Sequence, residues 1–97
     1  MHTSQEDELL RRARLDDHAR TVVLDIAGTL TDLKPWREMT EGLRLARPLS
    51  VAERIWGRGT HADEIARAAR ALMPSVDQPI TRGEYALILR RAAGQDR

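Results

Sequence analysis

The chain has 97 residues and a formal net charge of +1, enough for one domain with a single core and too close to neutral to indicate nucleic acid on charge alone. It contains no cysteine, which excludes disulfides and thiolate metal sites. Its only aromatic residues are Trp36, Trp56 and Tyr85, so the core has to be built from Leu, Ile, Val and Ala, a composition suited to close helix packing.

Arginine outnumbers lysine fifteen to one, Lys34 being the single lysine, a bias that reflects GC-rich coding more than binding. Residues 1–39 carry six basic and eight acidic side chains, residues 40–97 ten and seven. That modest tilt reads as a solvated surface. The polar, acidic opening Met1-His2-Thr3-Ser4-Gln5-Glu6 does not resemble a secretory leader, and no apolar run approaches the ~20 residues a membrane span needs. A soluble, cytoplasmic protein is expected.

Ser4-Gln5-Glu6-Asp7 marks the start of a first helix. Asp7/Arg11, Glu8/Arg12 and Asp16/Arg20 then stand four apart with the acid first, the favourable order. The helix extends from about Gln5 to Leu33, either in one piece or broken near Leu15, where the apolar face changes phase. Leu15, Ala19, Val22, Val23, Ile26, Ala27, Leu30 and Leu33 lie within an arc of roughly 140° at about 100° per residue. Thr21, Val22, Val23, Gly28, Thr29 and Thr31 are mediocre or poor helix formers, so only burial of that face makes the segment helical.

Pro35 suits the first turn of a second helix, with Asp32 as its cap. Trp36, Met39, Leu43 and Ala46 share a face until Arg47-Pro48 stops it. Ser50-Val51-Ala52-Glu53 has the form of a capping box and starts a short third helix with Ile55 and Trp56, ended by Gly57-Arg58-Gly59. Thr60-His61-Ala62-Asp63 is a weaker box before Ala62, Ile65, Ala66, Ala69, Leu72 and Met73. Pro74 closes that helix. Thr81-Arg82-Gly83-Glu84 is another box, Ile80 and Tyr85 sit where a hydrophobic staple places them, and the last helix runs through Ile88, Leu89 and Ala92.

The expected fold is all-α, a compact bundle of about five helices with a long first helix. It forms a single domain over residues 1–97 with frayed ends at about 1–4 and 94–97. The alternative is α+β, with short strands near 21–26 and 85–89, because Tyr85-Ala86-Leu87-Ile88-Leu89 is continuously apolar.

Val22-Val23-Leu24-Asp25-Ile26-Ala27-Gly28-Thr29 resembles motif I of the haloacid-dehalogenase-like hydrolases, an apolar strand followed by Asp-x-Asp-Gly-Thr. The resemblance covers about eleven residues, to Asp32. It implies Asp25 as a phosphoryl-accepting nucleophile, with Ala27 in place of the second Asp, as in the phosphonoacetaldehyde-hydrolase branch. Such chemistry also needs Mg²⁺ held by further carboxylates and a cation for the transferring group, which the family supplies from later strands. Here the residues after Pro35 read as helices. The helical reading puts Asp25 on the solvent face and implies no catalytic residue, no cofactor and no small-molecule substrate.

His18 and His61 each stand beside acidic residues without the spacing of a zinc site, and no metal is expected; each reads as a surface histidine. The third helix, its glycine turn and the fourth helix have the outline of a degenerate helix-turn-helix around residues 50–73. Arg58, Arg67 and Arg70 would reach a nucleic-acid backbone. Asp63 and Glu64 oppose that reading, and an Asp63–Arg67 pair on an ordinary hairpin is the plain one. Leu10, Leu24, Leu45 and Leu87 point away from the apolar faces of their own helices, as interface residues do. The leading expectation is a non-enzymatic helical interaction or regulatory protein, binding another macromolecule and acting as a homo-oligomer through Leu24, Leu45 and Leu87. A DNA-binding regulator is the second expectation.

Overall fold

The computed structural model describes residues 4–37 and 41–94, which form four α-helices with no β-strand among them. The first, α1 (Ser4–Thr29), is a continuous 26-residue helix, about 39 Å long at the standard rise. There is no break at Leu15. Ala19, Val22, Val23, Ile26 and Ala27 are fully buried along it, with Leu30 just beyond its end, so packing outweighs the weak local propensity. The helix stops earlier than the periodicity predicts. Thr29 Oγ1 donates to the Ile26 carbonyl at 2.7 Å and Leu30 N–H to Ala27 at 3.1 Å. Leu33, expected on the buried face, is 85% exposed because it lies past that end.

The segment after α1 is not the start of a second helix. Pro35 forms an isolated antiparallel bridge with Thr81. Trp36 N–H donates to Ile80 O, Arg82 N–H to Lys34 O and Gly83 N–H to Asp32 O, at 2.8, 2.8 and 3.1 Å. Pro35 lacks a donor, which costs nothing at an edge where its neighbours make the ladder bonds. Met39 lies outside the described residues, as does the side chain of Leu43.

The largest departure from expectation is α2 (Glu41–Trp56), which runs straight through Pro48. Proline removes one helical hydrogen bond and disfavours the helical conformation before it. Here the ring is fully buried, beside buried Val51 and Ala52. Pro48, Leu49, Ala52 and Trp56 keep one helical phase beyond the junction, and that packed stripe overrides the local signal. Ser50, read as a cap, is an exposed interior residue. Among the described residues the expected bundle of about five helices is therefore one of four.

Gly57 ends α2, with its N–H on Glu53 O at 2.8 Å and φ of +93°, the left-handed conformation glycine adopts without strain. The next helix, α3 (Thr60–Leu72), is capped by Gly59 with no side-chain bond, so Thr60 is its first residue and not its cap. The last, α4 (Arg82–Ala92), carries the expected capping box. Thr81 N–H donates to Glu84 Oε1 at 2.9 Å, and Glu84 N–H to Thr81 Oγ1 at 3.1 Å. Thr81→Ala should cost about 1 kcal/mol of stability, read as an earlier denaturation midpoint with unchanged slope.

Helix α1 is the spine: α2, α3 and α4 all pack on it, and α2 also packs on α3. Tyr85, buried on α4, stacks on Trp36 at 3.9 Å with rings 12° apart, and donates its hydroxyl to Pro74 O at 2.8 Å. The molecule measures 53 × 29 × 21 Å with a radius of gyration of 14.6 Å, above the roughly 12.5 Å that size scaling gives. The molecule is elongated, and the N-terminal turns of α1, whose side chains stay exposed apart from Glu8, form an overhang.

Candidate interaction surfaces

From Gln5 to Arg14 every side chain on α1 is exposed except Glu8, which is half-buried. Leu9 and Leu10 are 59% and 62% exposed. With Ala13 they centre about 155° around the helix from the packed stripe of Leu15, Ala19, Val22 and Ile26, at about 100° per residue. This overhang presents its apolar side to solvent and its polar side toward the bundle.

Ion pairs hold the polar side. Arg11 bonds Glu8 at 3.1 Å on its own helix and Glu64 of α3 at 3.2 Å, and Arg12 reaches Glu8 at 3.4 Å. The Arg11 hydrogen bond, followed by its charge, holds the Glu8 carboxyl below the usual glutamate range. The same pairing raises the Arg11 guanidinium, with Glu8 contributing first. Further along, Arg20 pairs with Asp17, not with Asp16 as the spacing predicts. On α3 the acid that pairs with α1 is Glu64.

A groove of about 390 Å³ opens where the overhang passes the start of α3, between Asp7, Leu10, Arg11 and Arg14 on one side and His61 and Glu64 on the other. Beyond it His18 lies half-buried. Its ring sits 4.2 Å from Trp56, tilted by 31°, and meets His61 edge-on at 5.8 Å. Its Nδ1 is buried without a hydrogen-bond partner among the described residues. His18 is thus not the plain surface histidine its neighbours imply. The contact joins three helices, and no spacing within one helix signals it. Among the described residues no group of three or more His, Cys, Asp or Glu is placed to hold a metal ion.

The other residues singled out in the sequence are dispersed. Leu24 on α1 and Leu45 on α2 are half-buried, Leu24 against the core; Leu87 on α4 is 57% exposed. α4 packs chiefly on α1, and α2 on α1 and α3, so Leu45 and Leu87 occupy helices that do not share a packed face. Leu87 also shows that α4 is not enclosed on all sides. Arg58, in the α2–α3 turn, and Arg67 are exposed; Arg70 is half-buried. Leu9 was missed because it sits beside Leu10 in a charge-rich run that reads as solvated helix.

Asp25 lies within the last two turns of α1, with a side chain only 29% exposed and a carboxylate 2.7 Å from Arg54 Nη2 of α2. It is thus a partner in an interhelical ion pair and not a bare surface acid. One turn on, Arg47 donates to Thr29 Oγ1 at 2.7 Å. The strand and loop of a motif I turn are absent, since residues 22–29 are helical. No helix among the described residues is long and apolar enough to cross a membrane. No protein-family model, curated protein or solved structure matches the chain.

Proposed function

We propose that this protein is a non-catalytic helical interaction module that acts by binding another macromolecule, and that it does so as a homo-oligomer. The observation that carries the reading is the pair of exposed apolar surfaces, Leu9 with Leu10 on the overhang and Leu87 on α4. The core closes without either. The overhang continues a helix nucleated by the buried half of α1, so its apolar side chains are held on an ordered surface. The Asp25–Arg54 pair supports the non-catalytic part, since it occupies the carboxylate that a phosphotransfer reading needs free.

Sedimentation equilibrium over a wide concentration range tests the oligomer. A mass at a multiple of 11.0 kDa is expected, and a monomer throughout would retire it. Of Leu24, Leu45 and Leu87, the contact candidates read from the sequence, Leu87 is the most accessible. DNA binding is the second reading, favoured by the three-residue turn joining α2 to α3 with Arg58 and Arg67 exposed. It requires a mobility shift that weakens steeply with salt.

A further inference from the structure

We infer that the overhanging end of α1 is the docking surface for a second copy of this chain, the two overhangs crossing antiparallel about a two-fold axis at Leu10. This inference rests on the self-association proposed above and names its surface. Glu6, Leu10 and Arg14 stand at i, i+4 and i+8, so they form one ridge along the exposed side of α1. The ridge reads negative, apolar, positive, with each charge equally far from the leucine. A two-fold axis through Leu10 therefore places Glu6 of each copy beside Arg14 of the other while the leucines meet. A parallel pairing would set like charges together.

The neighbouring groove strengthens the assignment. Leu10 and Arg14 form part of its wall, so its cavity runs alongside the ridge and can take an apolar side chain from the second copy. Leu9 and Ala13 widen the apolar strip. The overlap of two ten-residue segments is about 15 Å long, small against a standard protein interface. The dimer is accordingly reversible, concentration-dependent and weakened by salt.

The test is a charge swap read by sedimentation. Glu6→Arg and Arg14→Glu should each weaken dimerisation about tenfold, because each sets like charges against one another at two symmetry-related places. The double variant should restore it. Because the chain has no native cysteine, Leu10→Cys should cross-link to itself on oxidation, and Glu6→Cys only when mixed with Arg14→Cys. These positions are exposed, so thermal unfolding of the variants serves as the check on folding. A wild-type dimer that ignores the swap and falls apart instead in Leu87→Arg would overturn this surface while leaving self-association standing. A wild-type monomer would overturn both.

Discussion

Tyr85→Ala should lose about 3–5 kcal/mol of stability, the usual cost of deleting a buried aromatic ring. That is a large part of the roughly 5–15 kcal/mol available to a domain of this size. Three contacts go at once: the burial against α1, the stacked face of Trp36 and the hydroxyl bond to Pro74 O. Tyr85→Phe separates them. It keeps the ring and should cost about 1 kcal/mol, the net value of one hydrogen bond. Urea denaturation followed by Trp fluorescence measures both variants. A Tyr85→Ala protein as stable as wild type would mean that α4 is not seated where these contacts place it.

The second large effect separates two adjacent residues. Ile26→Ala should cost about 2–5 kcal/mol, because the side chain is fully buried on α1. Asp25→Ala should cost under about 1 kcal/mol, since its bond to Arg54 is a partly exposed ion pair. A strand-and-turn geometry would reverse the emphasis, making Asp25 the residue on which function depends. Denaturation midpoints for the two variants, together with phosphatase turnover before and after Asp25→Asn, distinguish these cases. No turnover is expected in either protein.

The long first helix was legible because its apolar positions hold one phase from Ala19 to Leu30, and the capping box at Thr81 because it is a purely local pattern. Pro48 was misread for the complementary reason. The proline rule is local, whereas the stripe through Leu49, Ala52 and Trp56 that overrides it depends on α1 and α3. Pro35 and Trp36 were placed in a helix because their true partners, Ile80 to Gly83, lie in a distant part of the chain. His18 and His61 look isolated in sequence, and only the crossing of α1 with α3 joins them. Of the candidate surfaces, Leu10 and Leu87 were visible as misplaced leucines. That Leu10 sits on an exposed overhang beside the start of α3 depends on where the other helices end, which no window of sequence reports.

The backbone pairing between residues 32–36 and 80–83 has a kinetic implication. Helices α2 and α3 are joined by three residues and can meet early, as short-range contacts do. α4 is fastened through partners nearly fifty positions upstream, so its arrival waits until the intervening chain has collapsed. The same latch should be the first to release when the molecule breathes. Slow-exchanging amides should therefore concentrate in the middle of α1 and α3, with those of α4 exchanging sooner.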